Sequence, residues 1–110
     1  MHQMAHLMKA QAMNREAIIG VLLAHRAELV RDGVLHAALF GSTARGDARP
    51  DSDTDVMIEF DPARIPDVFT YAGIKDRISA LLPGRVDVVD REALRPHLRE
   101  NALADLIYAF

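Results

Sequence analysis

The sequence has no cysteine in its 110 residues. That excludes disulfides, thiolate zinc sites and cysteine nucleophiles, and it fits a reducing, cytoplasmic setting. No apolar run approaches the roughly 20 residues a membrane-spanning helix needs, so no membrane partner is expected. Residues 1–13 hold a single lysine and no long apolar stretch, so they do not read as a signal peptide. The net charge is −3, so no overall positive field draws the chain to nucleic acid, which is not expected as a direct target. No repeat, linker or low-complexity segment interrupts the chain. What is present is ordinary for one globular domain: half the residues are hydrophobic and about a quarter are charged. A chain of this length buries about two thirds of its unfolded surface, enough for one core. Residues 1–13 read as a tail or a helix extension, and 14–110 as the domain.

Along the domain, Asn14 is placed to cap a helix whose first turn carries Glu16. Ile18, Val21, Leu22, His25 and Leu29 continue it at helical spacing, and Asp32-Gly33 ends it. Val34 to Phe40 reads as a buried strand. Gly41 to Ser52 is polar and rich in small residues, a loop with room for one helical turn. Asp53 to Phe60 alternates, with Thr54, Val56, Ile58 and Phe60 on the apolar side. Pro66 suits the first turn of a second helix, whose stripe is Tyr71, Ile74, Ile78, Leu81 and Leu82. Arg85 to Asp90 is a third strand. A last helix is expected from Arg91, with Leu94, Leu98, Leu103, Leu106 and Ile107 as its apolar positions. The order predicts an α/β fold, a small sheet flanked by helices.

The chemistry concentrates around two short motifs. Asp53 and Asp55 are two apart on a strand, so both side chains leave the same face, with Cα atoms about 7 Å apart. Asp87 lies mid-strand in Arg85-Val86-Asp87-Val88-Val89 and joins them if the two strands are neighbours. Three anions so placed repel one another, and a hard cation is the simplest compensation. Gly41 follows a strand and lets backbone approach a phosphate closely. Ser42 adds a hydroxyl and an N–H, and Arg45 a fixed positive charge suited to phosphate oxygens. A helical turn from Thr43 to Gly46 would aim free N–H groups at the same anion. Each piece alone has a plain structural reading: a Gly-Ser turn, a solvated Asp-x-Asp strand edge, a surface aspartate. Together they place phosphate donors and cation ligands at opposite ends of one strand–loop–strand unit, the pairing that phosphoryl-type transfer needs.

Gly41-Ser42, ten residues, then Asp53-Thr54-Asp55 resembles the signature of the DNA polymerase beta-like nucleotidyltransferase superfamily. The fuller run GSTARGDARPDSDTDVMIEF is similar to the minimal nucleotidyltransferases, its small stand-alone members. The resemblance spans about Ala17 to Phe110. It implies the polymerase beta-like fold, a small mixed sheet with flanking helices, and transfer of a nucleoside monophosphate from an NTP with two Mg²⁺ ions. It implies that Asp53 and Asp55 bind both metals. Asp87 would help bind one and activate the attacking hydroxyl. Gly41 and Ser42 would hold the triphosphate, and Arg45 falls on the family's arginine. Minimal nucleotidyltransferases are commonly antitoxins, paired with a HEPN-family ribonuclease toxin that they silence by moving AMP from ATP to a tyrosine. A hetero-complex or an oligomer is therefore expected. All three carboxylates are present, and no second domain that would bind a small acceptor is visible. Two other readings stay open: an antitoxin that acts by binding alone, and a transferase for an aminoglycoside-like small molecule.

The remaining candidates read as structural. None of the five histidines has zinc-site spacing. His25 sits on a helix stripe, His36 within a buried strand where it needs a hydrogen-bond partner, and His97 on the surface; His2 and His6 fall in the tail. Glu59 shares the face of Asp53 and Asp55 and reads as a solvated strand end. Arg49 and Asp51 flank the loop and read as solvent-exposed. Tyr71 is a core position. Tyr108 and Phe110 either pack back on the domain or meet a partner.

Overall fold

The computed structural model describes residues 13–47, 49 and 52–110. Almost all of the expected tail, and Asp51, lie outside the described residues. The first helix, α1 (Arg15–Ala24), starts where Asn14 Oδ1 accepts a hydrogen bond from the Ala17 N–H at 2.8 Å. It does not run on to Asp32 as the apolar spacing suggests. His25 Nδ1 donates to the Val21 carbonyl at 2.9 Å, taking the acceptor that the backbone N–H of His25 would use, and that N–H turns to Leu22 instead. The helix closes there, and α2 (Arg26–Arg31) follows at once, burying Leu29.

Two antiparallel strands follow, β1 (Val34–Leu39) and β2 (Thr54–Phe60). Between them the five-residue helix α3 (Gly41–Arg45) fills the start of the loop, where one helical turn from Thr43 is expected, and begins two residues earlier. A bulge between Val34 and His36 turns Leu35 out to solvent, so the β1 run is not buried throughout. The helix α4 (Val68–Leu81) starts one residue after Asp67, whose side chain accepts from the Thr70 N–H at 2.7 Å. Pro66 therefore precedes the cap instead of opening the helix. α4 carries the chain back to β3 (Val86–Asp90), which pairs parallel to β2.

The C-terminal region departs most from the expectation of one helix from Arg91. Pro96 lacks an N–H and holds Arg95 extended (φ −62°, ψ 145°), so a 3₁₀ turn over Arg91–Ala93 is cut off from helix α5 (Pro96–Ala104). After Asp105 the chain becomes β4 (Ile107–Tyr108), antiparallel to β1. The Ala109 and Phe110 N–H groups both donate to the Ala37 carbonyl, at 2.8 and 3.3 Å. Phe110 packs back on the core under the Arg26 guanidinium, while Tyr108 stays half exposed beside His36.

The sheet order is β3-β2-β1-β4. One face, with Ala37, Leu39, Val56, Ile58, Phe60 and Val88, meets Ile18, Leu22, Leu29, Ile74 and Ile78 from the helices, and this is the core. The alternation of β2 sends Asp55, Met57 and Glu59 to the other face. Met57 is buried there nonetheless, in a shallow cleft it shares with Ala38, Leu106 and Tyr108. So the C-terminal segment covers the middle of that face and leaves the Asp55 end open. No helix among the described residues is long and apolar enough to cross a membrane.

Candidate active site

Strand pairing brings the site together. In the parallel β2–β3 register Asp55 lies directly opposite Asp87, which puts their Cα atoms one strand spacing apart, about 4.8 Å. Asp53 immediately precedes β2. Because β1 and β2 are antiparallel, the end of β1 returns beside the start of β2, and the Phe40 N–H donates to the Asp55 carbonyl at 3.2 Å. Gly41 then lies against the Asp55 carboxylate. The Gly-Ser turn and the Asp55 carboxylate are therefore neighbours, not at opposite ends of the unit as the linear order suggests.

Gly41 has φ +60°, and a Cβ there would sit 2.8 Å from Asp55 Oδ2. Both the conformation and the space demand glycine. The buried Thr43 hydroxyl accepts from the Asp55 N–H at 3.0 Å, fixing α3 to β2 from the other side. At the far end of α3, Arg15 Nη1 donates to the Ala44 carbonyl at 2.6 Å, and Gly46 closes the helix in the left-handed conformation. The N–H groups of Gly41, Ser42 and Thr43 head this helix, which as at any helix start leaves them without intrahelical acceptors.

Charge accumulates without full compensation. Burial first, then the charges of Asp87 and Asp53, push the Asp55 carboxyl above its ordinary pKa, and Arg45 opposes the rise. Asp53 leans to Arg85 at 3.6 Å, a pair too exposed to contribute much. Among the described residues no three histidine, cysteine or acidic side chains converge into a ready-made ion cage. The donor chemistry nevertheless fits a hard divalent cation: three carboxylates at one end of an open sheet face, the innermost destabilised as an anion by the other two. Arg45 lies within electrostatic range of Asp55, but its direct partners are Asp105 at 2.9 Å and Asp47 at 3.3 Å. Glu59 is not a solvated strand end: it is half buried and paired with Arg91 at 3.3 Å, remote from the three aspartates along β2. His36 finds its partner in the Phe110 carbonyl, 3.2 Å from Nδ1.

Sequence reading missed Thr43, Arg15 and Asp105. Thr43 stands inside the motif, where it reads only as the start of a helical turn and not as a hydroxyl bonded to β2. Arg15 and Asp105 reach the site only through tertiary contacts, 29 and 60 residues from their partners.

The nucleotidyltransferase domain family matches residues 23–109, and the chain belongs to that family. It is similar to the protein adenylyltransferase MntA of Thermococcus cleftensis, with 35% identity over 94 residues, 84% of this chain and 93% of that protein. Its fold matches that of a solved minimal nucleotidyltransferase with a TM-score of 0.72 and 35% identity, over 86% of this chain and 95% of the other. A complex from Shewanella oneidensis, a tri-AMPylated HEPN toxin with its MNT antitoxin, aligns at TM-score 0.56 and 18% identity. It covers 84% of this chain and 71% of the matched one, a likeness of fold. The chain is thus a nucleotidyltransferase of the minimal type, with the α/β fold that the motifs implied.

Two outcomes follow from this geometry. Gly41→Ala forces Asp55 to move and strains the backbone, so it is expected to lower stability by about 1–3 kcal/mol. Gly73→Ala, inside α4 with nothing within 4 Å of the added methyl, is expected to be neutral or stabilising by about 1 kcal/mol. Urea unfolding of the two variants measures the contrast. Asp55 binds its proton more tightly folded than unfolded. Its contribution to the metal-free fold is therefore most favourable at low pH, and is lost as pH rises past the ordinary aspartate value of about 4 toward the raised one. Asp55→Asn, which mimics the protonated form, should unfold at a higher temperature than the wild type at pH 7 in chelator, and the difference should vanish at acid pH.

Proposed function

We propose that this chain is an Mg²⁺-dependent antitoxin that transfers AMP from ATP to a tyrosine hydroxyl of a cognate HEPN-family toxin and thereby neutralises it. The observation that carries the reading is the contact of Gly41 with Asp55 in a register that sets Asp55 beside Asp87. It makes one site of a phosphate loop and a carboxylate cluster. The similarity to a protein adenylyltransferase over most of both chains supports AMP as the group moved and a protein as the acceptor. The fold shared with the antitoxin of a HEPN–MNT pair supports the class of partner.

Asp53, Asp55 and Asp87 would hold Mg²⁺. Bound there, Mg²⁺ neutralises charge on the phosphates and on the leaving pyrophosphate. Gly41 and Ser42 offer backbone N–H groups and a hydroxyl to the β- and γ-phosphates, and Arg45 adds a positive charge at the end of the same short helix. The tyrosine oxygen attacks the α-phosphorus in line. A P–O bond to tyrosine forms as the bond to the β-phosphate oxygen breaks, and pyrophosphate leaves with the electron pair. Asp87 takes the phenolic proton. It is exposed on the edge strand β3, open to an approaching protein chain, while Asp55 is the more enclosed of the pair.

The test is incubation with labelled ATP, Mg²⁺ and the partner toxin. AMP should appear on a toxin tyrosine. Asp53→Asn and Asp55→Asn should each cut transfer by more than the roughly 10–100-fold that loss of even an outer-shell group costs. Toxin silenced equally by Asp53→Asn, at one-to-one stoichiometry and without ATP, would instead mean an antitoxin that acts by binding alone.

A further inference from the structure

Arg45 is the one strongly cationic side chain on the phosphate helix α3, and it is held by a residue from the far end of the chain. Asp105 Oδ2 accepts from Nη1 at 2.9 Å, and Asp47 Oδ2 accepts from Nε at 3.3 Å. A guanidinium has five N–H donors fixed in one plane. These two carboxylates take one N–H of Nη1 and the N–H of Nε, and Nη2 takes no partner among the described residues. The side chain is half exposed, so without these contacts it would sample many rotamers.

Asp105 is itself fixed by the fold. It closes α5, and two residues later Ile107 pairs with Leu39, which lies two residues before Gly41. The carboxylate that clamps Arg45 and the glycine that heads the phosphate helix are thus referred to the same end of β1. Asp105 holds nothing else by a side-chain hydrogen bond in the described structure, and its exposed ion pair adds little to stability. Its geometry is accounted for by what it does to Arg45.

We propose that Asp105 is a positioning residue for nucleotide binding: with Asp47 it holds the Arg45 guanidinium by Nη1 and Nε, so that Nη2 is held ready for the triphosphate of the NTP. The inference rests on the reading that Arg45 meets phosphate, and it assigns a role to the C-terminal segment that the Gly-Ser and Asp-x-Asp motifs do not contain. Pre-orientation spares the ordering of one long side chain on binding. That ordering costs about 0.5–1.5 kcal/mol, or about two- to tenfold in affinity.

The test is calorimetric titration of the full chain with AMP-PNP and with AMP, each with Mg²⁺. Asp105→Asn is expected to weaken AMP-PNP by about two- to tenfold, leave AMP unchanged and leave the unfolding temperature near that of the wild type. Asp105→Glu, which keeps a carboxylate within reach, is expected to recover most of the loss. Unchanged or tighter AMP-PNP binding by Asp105→Asn overturns the proposal, since the carboxylate would then be neutral or a competitor for Arg45. Equal weakening of AMP and AMP-PNP also overturns it, because the role would be structural. Arg45→Ala separates the two layers: if it binds AMP-PNP like the wild type, the reading of Arg45 as a phosphate contact fails first and takes the clamp with it.

Discussion

Everything in this site hangs on the place where Asp55 meets a residue that can carry no side chain. A carboxylate on the second residue of β2 must lie beside the end of β1, because the two strands are antiparallel and tightly registered. The chain has to turn away there without filling the space that the carboxylate occupies. Gly41, with φ +60° and no Cβ, satisfies both demands. From that contact follow the start of α3, the hydrogen bond of the Thr43 hydroxyl to the Asp55 N–H, and the nearness of the loop's N–H groups to the carboxylate cluster. The sheet order then adds Asp87 from the other side of β2.

The energetic character of the site follows from the same contact. A half-buried carboxylate between two others is a poor arrangement for a fold that needs only stability, and the raised pKa of Asp55 expresses that cost. Arg45 offsets it only partly, from a half-exposed position. The large apolar core on the other face tolerates the strain. Such a local violation of good folding practice is more often found at functional sites than at structural ones.

Much of this was legible in the sequence, for physical reasons that can be named. The period-two alternation of Asp53 to Phe60 sorted core from site face, because a strand whose far face packs on helices must alternate. The Gly-Ser pair marked the turn out of β1, and the family signature linked it to Asp87 before any strand pairing was known. What was not legible depended on tertiary competition. His25 reads as a stripe position, yet its ring takes the Val21 carbonyl and splits the helix. Ile107 follows a helical apolar pattern, yet the free edge of β1 offers it backbone hydrogen bonds, and it becomes part of β4 instead. Glu59 looked solvated because nothing local announces Arg91 as its partner. Arg15 and Asp105 carry no motif at all, and only the folded chain brings them to α3.

The central claim is that one contact point unites a phosphate loop with a metal-binding carboxylate cluster. A crystal structure of the protein with Mn²⁺ and AMP-PNP, read by anomalous scattering, tests it most directly. The account predicts anomalous peaks against Asp53, Asp55 and Asp87, with the β- and γ-phosphates on the Gly41 and Ser42 N–H groups and no shift of Gly41 from Asp55. Manganese absent from those carboxylates, or a triphosphate bound away from Gly41 and Ser42, would contradict it.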